Sequence, residues 1–192
     1  MQNAISEYIT DFNSALASVH LNSIASFVDL IDDAWQRDKQ IIVCGNGGSA
    51  LTALHYVTDW NKSLPLATGR RFRGRSVLDN IGLLTAHAND QSYPESFAEQ
   101  IRNVVDPGDV VLLISGSGNS ANVVQGAKVA KSLGATVASI VGFDGGALVS
   151  LSDRILHVSR SDMQICEDIH MMVGHMILRT LIKRHTPPIA AA

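Results

Sequence analysis

Residues 40–55 read Gln-Ile-Ile-Val-Cys-Gly-Asn-Gly-Gly-Ser-Ala-Leu-Thr-Ala-Leu-His, and this stretch decides the fold. The apolar run 41–44 predicts a short buried strand, and a helix-forming run follows directly after the Gly-rich turn 45–49. Ser49 suits the N-cap position of that helix. Free N–H groups at a helix N-terminus favour an anion, so the turn is a candidate phosphate site. A Gly-rich turn alone is as typical of a structural turn in an α/β sheet.

A second strand and turn with the same layout lie at 110–120. The apolar run 110–114 ends in Ser115-Gly116-Ser117-Gly118-Asn119-Ser120, and a helical pattern begins directly afterwards. Hydroxyl and backbone donors at this density can surround the three oxygens of a phosphate monoester without a metal or a lysine. A plain turn does not need three hydroxyls, so the pattern favours phosphate-ester binding over a structural turn.

The composition is typical of a folded globular protein. The chain has 192 residues, 46% of them hydrophobic and 17% charged, with a formal net charge of −3. This length fits one domain, and the charge gives no general drive toward nucleic acid or an anionic membrane. The two cysteines, Cys44 and Cys166, form no disulfide framework and are expected to be reduced. The N-terminus lacks the features of a signal peptide, and no apolar run approaches the roughly 20 residues that span a bilayer. We therefore expect a soluble cytoplasmic protein.

Helical and strand patterns alternate along most of the chain. Residues 3–38 contain no Gly or Pro and predict one long helix or two consecutive ones, part of which would pack outside the sheet on a partner subunit. Further strands are expected at 75–78, 136–141 and 154–158. Further helices are expected at 49–61, from 81 to about 88, at 95–105, at 121–133 and at 162–185, with a short helix after 146 that ends at about 150. This alternation predicts a parallel sheet with ligands at the carboxyl ends of the strands, so both turns can face one pocket.

Four arginines lie in the segment 62–75, which Pro and Gly residues interrupt: Arg70, Arg71, Arg73 and Arg75. Such a cluster could hold an anionic substrate or a partner. A solvated loop is the more frequent outcome and is the one predicted here.

Two helices carry ionisable residues at helical spacing. His55 and Asp59 are four residues apart on the first pocket helix, and Glu167 and His175 are eight apart on the last helix, so each pair shares a face. His170 could turn partly the same way. Two imidazoles and two carboxylates suit an acid/base pair or a four-ligand site for a divalent metal. Histidines on a mostly apolar helix are more often core or interface residues, so both interpretations stay open.

In the order of its motifs the chain resembles the sugar isomerase (SIS) domain family, and within it the phosphoheptose isomerases. The resemblance covers the N-terminal helices and the motifs at 45–49, 55, 89–90, 117–120, 142–146 and 167–175. It implies a three-layer α/β sandwich with a central parallel five-stranded sheet, of the flavodoxin-like SIS type. N-terminal helices (1–38), an α/β core (39–160) and a C-terminal helix (161–186) would form one SIS domain over 1–192. The N-terminal helices would serve oligomer packing in a homotetramer whose active sites lie at subunit interfaces.

The resemblance also implies an activity. Such a protein would be an aldose–ketose isomerase that converts sedoheptulose 7-phosphate to D-glycero-D-manno-heptose 7-phosphate through an enediol, for heptose biosynthesis. The residues that match the family's proton carriers are Asp59 and His175. Several members hold zinc, whose ligands would correspond to His55, Asp59, Glu167 and His175. The matching substrate-binding residues would be Asn46, Gly47, Ser49, Asn80, Ser115, Ser117, Ser120 and Gln164.

The chain departs from the family pattern at two of these positions and in the segment 62–75. The isomerases carry glutamate where this chain has Asp59, and a shift of about 1 Å in a base can cost ~100-fold in rate. They usually carry glutamine where this chain has Glu167. A second carboxylate favours a bound divalent cation, because two carboxylates close together without one would repel. These departures leave the exact sugar open.

Other function classes remain as alternatives. A non-catalytic SIS protein, either a sugar-phosphate sensor or a scaffold for the bacterial replication initiator, would not need the acid/base pair of Asp59 and His175. An isomerase of another sugar phosphate would need it. A dinucleotide-binding domain would carry a third glycine where this chain has Ala50. The presence of both Asp59 and His175 favours the isomerase.

Overall fold

Five parallel strands form one sheet flanked by helices in the computed structural model, which describes residues 2–186. The strands are β1 (Ile41–Gly45), β2 (Gly74–Ser76), β3 (Val110–Ser115), β4 (Thr136–Val141) and β5 (Arg154–His157). The helices are α1 (Gln2–Ser18), α2 (Leu21–Gln36), α3 (Gly47–Thr68), α4 (Ile81–Asp90), α5 (Glu95–Val104), α6 (Ala121–Ser132), α7 (Leu148–Leu151) and α8 (Met163–His185). The predicted α/β class and five-stranded parallel sheet are confirmed.

The strand order is β2-β1-β3-β4-β5, and every neighbouring pair is parallel. In this order the chain direction across the sheet reverses between β1 and β3, which are adjacent with Ile41 opposite Val110 and Gly45 opposite Ile114. Ligands of open parallel sheets bind at such a reversal, beyond the carboxyl ends of the strands. The turns that follow β1 and β3 both begin at that point.

The core consists of two apolar clusters, one on each face of the sheet. Ile41 and Val43 point to the face covered by α2, α3 and α8, whereas Ile42 and Cys44 point to the face covered by α5 and α6. Successive side chains of a strand point to opposite faces. Since both faces are covered, a continuous apolar run such as 41–44 is what a central parallel strand requires.

The N-terminal segment forms two helices rather than one, α1 and α2, whose axes differ by 67°. Helix α2 buries Phe27, Ile31 and Trp35, but Ala15 is the one fully buried residue of α1. No single helix within residues 2–186 is apolar and long enough for a bilayer, and only the bent α1–α2 pair meets the length and composition criteria jointly.

Helix α3 differs from the prediction at both ends. It begins at Gly47 after the N-cap residue Asn46, so Ser49 lies inside the helix and the predicted N-cap role was wrong. Gly47 has a φ of +54°, which only glycine adopts readily, and the chain turns into the helix at this residue. The helix also continues past the predicted end at 61 and includes Pro65. An interior proline costs about 3 kcal/mol, and burial of Leu64 on the same stretch offsets a cost of that order.

The arginines after α3 are bonded to the turn that follows α2. Arg71 pairs with the carboxylate of Asp38, Arg73 donates to the Asp38 carbonyl oxygen at 2.7 Å, and Arg70 donates to the Gln36 carbonyl oxygen at 2.7 Å. The hydrogen bond from Arg71 holds the pKa of Asp38 below its usual range. The predicted solvated loop was therefore wrong for residues 62–68, which are helical, and these three arginines lie outside the pocket described below.

Candidate active site

The two turns that follow β1 and β3 line one cavity of about 240 Å³. Its lining residues are Asn46, Gly47, Gly48, Ser49, Ser115, Gly116, Ser117, Ser120, Met163 and Glu167. Six of the eight residues predicted to bind substrate are among them. Within the part of the chain that the structure describes, no Lys or Arg lines this cavity, so any anion bound there is held by hydroxyl, amide and backbone donors.

The serine-rich turn keeps its hydroxyl protons available for a ligand. The Ser115 hydroxyl accepts from the backbone N–H of Gly118 at 3.1 Å, and the Ser117 hydroxyl accepts from Asn119 at 3.3 Å. Ser120 occupies the N-cap position of α6 without a side-chain capping bond. An accepting hydroxyl can still donate its own proton. The turn thus presents three hydroxyl donors at the N-terminus of a helix, where a phosphate group is favoured.

Two predicted substrate residues lie outside this cavity. Asn80 caps α4 by accepting from the Leu83 backbone N–H at 3.1 Å, and it lines a separate cavity of about 130 Å³ that also contains Arg75. Gln164 is exposed on the first turn of α8. Within a single chain neither side chain joins the serine turn.

Three of the four predicted metal ligands converge between α3 and α8. One ligand atom from each of His55, Asp59 and His175 lies within 4.8 Å of the others. The Nε2 atoms of the two histidines are 2.8 Å apart, and the Asp59 Oδ2 atom lies 3.3 Å from the first and 3.7 Å from the second. All three side chains are partly or largely accessible to solvent.

This donor set fits a divalent cation such as zinc. At 2.8 Å one of the two Nε2 atoms can donate its proton to the other, and when both are unprotonated a cation can take the place of that proton. Ligand atoms about 2.0–2.1 Å from a tetrahedral zinc lie roughly 3.3 Å apart, close to the three spacings measured here. Two imidazoles and one carboxylate are also the ligands of several catalytic zinc sites, which keep a further position open.

Glu167, the fourth predicted ligand, lies in the pocket and not in the His–Asp–His cluster. Its carboxylate lies directly beside Gly48, in space that a side chain at position 48 would occupy. A carboxylate is favoured at this N-terminal end of α3. Glu167 precedes His175 by eight residues, which corresponds to about 12 Å along a helix. In this structure three of the four predicted ligands therefore converge, and Glu167 lies apart from them.

The approach of α3 to α8 depends on Gly174. A Cβ atom at this position would overlap the ring of Tyr56, so only glycine fits. The Tyr56 hydroxyl donates to the carbonyl oxygen of His170, and Trp60 Nε1 donates to that of Gly174 at 3.2 Å. These buried contacts fix the position of His175 relative to the α3 residues.

His170 is a core residue and does not turn toward the cluster. It is fully buried, and neither ring nitrogen has a hydrogen-bond partner within residues 2–186. Burial lowers the pKa of His170 to about 4, because the charged imidazolium loses its hydration, while the nearby Val141 backbone opposes the shift weakly. His170 is therefore neutral at physiological pH.

Sequence reasoning missed residues that line or support the pocket. Met163 lines it, while Asn122 and Tyr93 hydrogen-bond to Asn46. Asn122 carries a local signal, since it lies in the first turn of a helix that follows a ligand-binding turn. Tyr93 is far from the pocket in sequence and carries no such signal.

Known proteins resemble this chain in sequence and in fold. The SIS domain family model matches residues 6–142. A probable phosphoheptose isomerase from Thermoplasma acidophilum is 36% identical over 177 residues, covering 89% of this chain and 93% of the relative. A phosphoheptose isomerase from Helicobacter pylori is 38% identical over 164 residues, covering 82% of this chain and 81% of the relative. The solved structure of a phosphoheptose isomerase from Neisseria gonorrhoeae matches with a TM-score of 0.87 at 26% identity, covering 95% of this chain and 98% of that one. The chain therefore belongs to the SIS domain family, alongside the phosphoheptose isomerases.

Proposed function

We propose that the protein is an aldose–ketose isomerase that converts sedoheptulose 7-phosphate to D-glycero-D-manno-heptose 7-phosphate through an enediol, in heptose biosynthesis. One observation carries the proposal. Helices α3 and α8 line a phosphate-suited pocket near their N-terminal ends and hold a His–Asp–His cluster about two turns further along. The relatives at 36% and 38% identity bear the name of this activity.

The distance between pocket and cluster suits a long sugar chain. The eight residues from Glu167 to His175 correspond to about 12 Å along α8. Eight bonds separate the phosphorus from C1 in a seven-carbon 7-phosphate, and an extended chain advances about 1.2 Å per bond, which gives about 10 Å. A triose phosphate would reach about half as far. A phosphate on the serine turn thus brings C1 and C2 of a heptose near the cluster.

Substrate binding is divided among the two turns. The hydroxyls of Ser115, Ser117 and Ser120 donate to the phosphate oxygens, and Asn46, Gly47 and Ser49 contact the sugar. Asn80 and Gln164 are proposed to reach the substrate of a neighbouring subunit, because they lie outside the pocket of their own chain.

Asp59 and His175 move the protons of the isomerisation. The Asp59 carboxylate removes a proton from C1 of the ketose while His175 gives a proton to the carbonyl oxygen on C2, which yields the enediol. His175 then takes the proton of the C1 hydroxyl, and Asp59 returns its proton to C2. The carbonyl group moves to C1, and both residues regain their initial states.

Zinc is the proposed cofactor; it would be held by Nε2 of His55, Nε2 of His175 and one Asp59 oxygen, which leaves the second Asp59 oxygen and Nδ1 of His175 for the proton transfers. When bound, a divalent cation polarises the carbonyl oxygen and lowers the cost of removing the adjacent proton. Glu167 is left out of this ligand set because its carboxylate lies beside Gly48.

A cytoplasmic homotetramer is the proposed working form. Ile5 and Ile9 of α1 are 58% and 54% exposed, and Leu21 of α2 is 79% exposed, which supports burial against other copies of the chain. Cys44 and Cys166 are buried and unpaired, as a reducing compartment allows.

Proton NMR of sedoheptulose 7-phosphate tests the activity directly. Only the aldose product carries a proton on its anomeric carbon, so its signal reports conversion. We expect conversion by zinc-loaded protein and loss of conversion in Asp59→Ala and His175→Ala. Thr58→Ala, on the exposed side of α3, is the matched control and should keep the activity.

The same assay separates the alternatives. Conversion of a different sugar phosphate in a substrate panel would make the protein an isomerase of that sugar. Binding of sugar phosphates without conversion of any of them would point to a non-catalytic sensor or scaffold and would overturn the proposed function.

A further inference from the structure

Asn46 is held in the pocket by two residues that sequence reasoning did not connect with it. Its Nδ2 atom donates to Asn122 Oδ1 at 2.8 Å, and its Oδ1 atom accepts from Asn122 Nδ2 at 2.9 Å. The Tyr93 hydroxyl also donates to Asn46 Oδ1, at 2.8 Å. Asn122 is fully buried, whereas Tyr93 is 54% exposed at the turn between α4 and α5.

The backbone fixes the orientation of both amides. The N–H of Val123 donates to the Asn122 side chain at 3.0 Å, and because a backbone N–H can only donate, the atom it meets is the oxygen Oδ1. The Nδ2 group of Asn122 therefore faces Asn46, and the Asn46 atom that receives its proton must be Oδ1. One buried peptide group thus determines which way the Asn46 amide points.

This orientation leaves the Asn46 side chain with one free hydrogen-bond donor. Its oxygen already accepts two hydrogen bonds, which uses both lone pairs, and its NH₂ group has given one of two protons to Asn122. The remaining N–H is available to a ligand in the cavity that Asn46 lines. A free asparagine can donate or accept, but Asn46 in this network can only donate.

We propose that Asn122 and Tyr93 are positioning residues that make Asn46 a donor-only contact, so that the pocket selects a sugar phosphate with an acceptor oxygen at that place. The identity of the selected sugar rests on the proposed function. The hydrogen-bond network of Asn46, Asn122 and Tyr93 is independent of it, since any polyol phosphate bound at the serine turn would meet the same N–H group.

The test is a double-mutant cycle on substrate affinity. Tyr93→Phe removes the hydroxyl at an exposed position and should raise KM for sedoheptulose 7-phosphate about fivefold, the factor expected for one hydrogen bond, while kcat changes by less than twofold. In an Asn46→Ala background the same substitution should change KM by less than twofold. The matched control is Tyr8→Phe, because Tyr8 is also exposed and donates its hydroxyl to a carboxylate, that of Asp168, outside the pocket.

Asn122→Asp tests the buried member of the network. The new carboxylate oxygen would face Asn46 Oδ1, and the Asn46 amide must turn away, so we expect KM to rise at least about tenfold from the loss of both its anchors and its donor. The added charge lies in the first turn of α6 beside the serine turn and should also raise the dissociation constant of inorganic phosphate, by about fivefold, so only the part of the KM increase that exceeds this factor is assigned to Asn46. If Asn122→Asp does not fold, the Tyr93→Phe cycle alone tests whether the network positions Asn46.

Equal KM increases for Tyr93→Phe with and without Asn46 would overturn the inference, since a purely structural role gives additive effects. An unchanged KM in Tyr93→Phe would overturn it as well. If the wild-type protein does not turn over sedoheptulose 7-phosphate, the proposed function fails. The same cycle is then measured as dissociation constants of that sugar phosphate and of fructose 6-phosphate, which still decide the role of Asn122 and Tyr93.

Discussion

Glu167 sets the electrostatic balance of the pocket at the level of a single residue. It contributes a carboxylate to a cavity whose other described lining residues carry no charge. It occupies the N-terminal end of α3 and leaves the N-terminus of α6, with its serine turn, for the phosphate of the proposed substrate. A carboxylate and a phosphate in one small pocket repel each other, so the charge weakens phosphate binding and leaves an acceptor for sugar hydroxyl groups.

Replacing Glu167 by glutamine should tighten the binding of inorganic phosphate to the metal-free protein. Two like charges about 8 Å apart at an effective dielectric constant of about 40 repel by roughly 1 kcal/mol, so we expect the dissociation constant to fall about fivefold. Calorimetric titration measures this. Glu99→Gln removes the same charge outside the pocket and should leave the constant unchanged. Zinc stoichiometry should be unchanged in Glu167→Ala, whose side chain has no ligand atom, and a loss of zinc in that variant would show that Glu167 is a ligand after all.

His170 should make the stability of the fold depend on pH. Its pKa is about 4 in the folded chain against about 6.5 when unfolded, so between these values the unfolded state binds more protons. The stability contribution is complete above pH 6.5 and is lost as the pH falls toward 4, by an amount on the order of 2 kcal/mol at pH 5. Urea unfolding at pH 7 and pH 5 should show that the free energy of unfolding decreases less for His170→Met than for the wild type. For His20→Gln, a change at an exposed site, this free energy should decrease as much as for the wild type.

At the scale of elements, α3 and α8 carry both functional regions. They contribute residues to the pocket at one end, and they hold all three members of the His–Asp–His cluster further along. Their mutual position is fixed by apolar and aromatic packing around Gly174 and not by the cluster, whose side chains are more exposed. The geometry of the candidate active site is therefore a consequence of helix packing.

Substituting Gly174 by alanine should destabilise the fold and misplace His175. On helix propensity alone the change would stabilise by roughly 0.5–1 kcal/mol, so a loss of stability isolates the overlap with Tyr56. Overpacking of this kind costs about 1–3 kcal/mol, and a displacement of about 1 Å at the cluster would lower kcat ~100-fold. Urea denaturation and the NMR assay measure the two effects. Thr180→Ala, on the exposed side of α8, should change neither, and an unaltered Gly174→Ala protein would contradict this account.

At the scale of the whole molecule, the sequence was sufficient to predict those features of the fold that neighbouring residues determine. The strands at 41–44 and 110–114 were found within a residue of their observed ends, because apolar runs followed by Gly-rich turns are what buried parallel strands require. The meeting of the two turns in one pocket then followed from the chain reversal between β1 and β3.

The sequence was insufficient to predict those features that depend on contacts between residues far apart in the chain. Helical spacing indicated that Glu167 and His175 share a face, but it could not say that Glu167 meets α3 at Gly48 while His175 meets it two turns later. In the same way, Pro65 signalled the end of a helix, and the burial of Leu64 against the core carried the helix past it. Both outcomes depend on which residues of another element lie opposite.

The proposed association of subunits also belongs to the scale of the whole molecule. Ile5 and Ile9 lie four residues apart on one stripe of α1 and are more than half exposed, although α1 contributes few residues to the core. An apolar stripe on a helix that the fold itself does not bury is typical of a protein–protein contact. Asn80 and Gln164, which lie outside the pocket of their own chain, would then reach a pocket in the assembly.

A charge on this stripe should therefore dissociate the protein and abolish its activity without unfolding it. We expect light scattering to give four times the chain mass for the wild type and a smaller particle for Ile9→Asp. Because Ile9 lies outside the core of the single chain, the helix content measured by circular dichroism should be retained. Ser14→Asp introduces the same charge at an exposed position on another side of α1 and should remain tetrameric and active.

A wild-type protein that is monomeric and active at micromolar concentration would contradict both the assembly and the assignment of Asn80 and Gln164 to a neighbouring site. A dissociated Ile9→Asp protein with full activity would contradict only the second, since a complete active site would then exist within one chain.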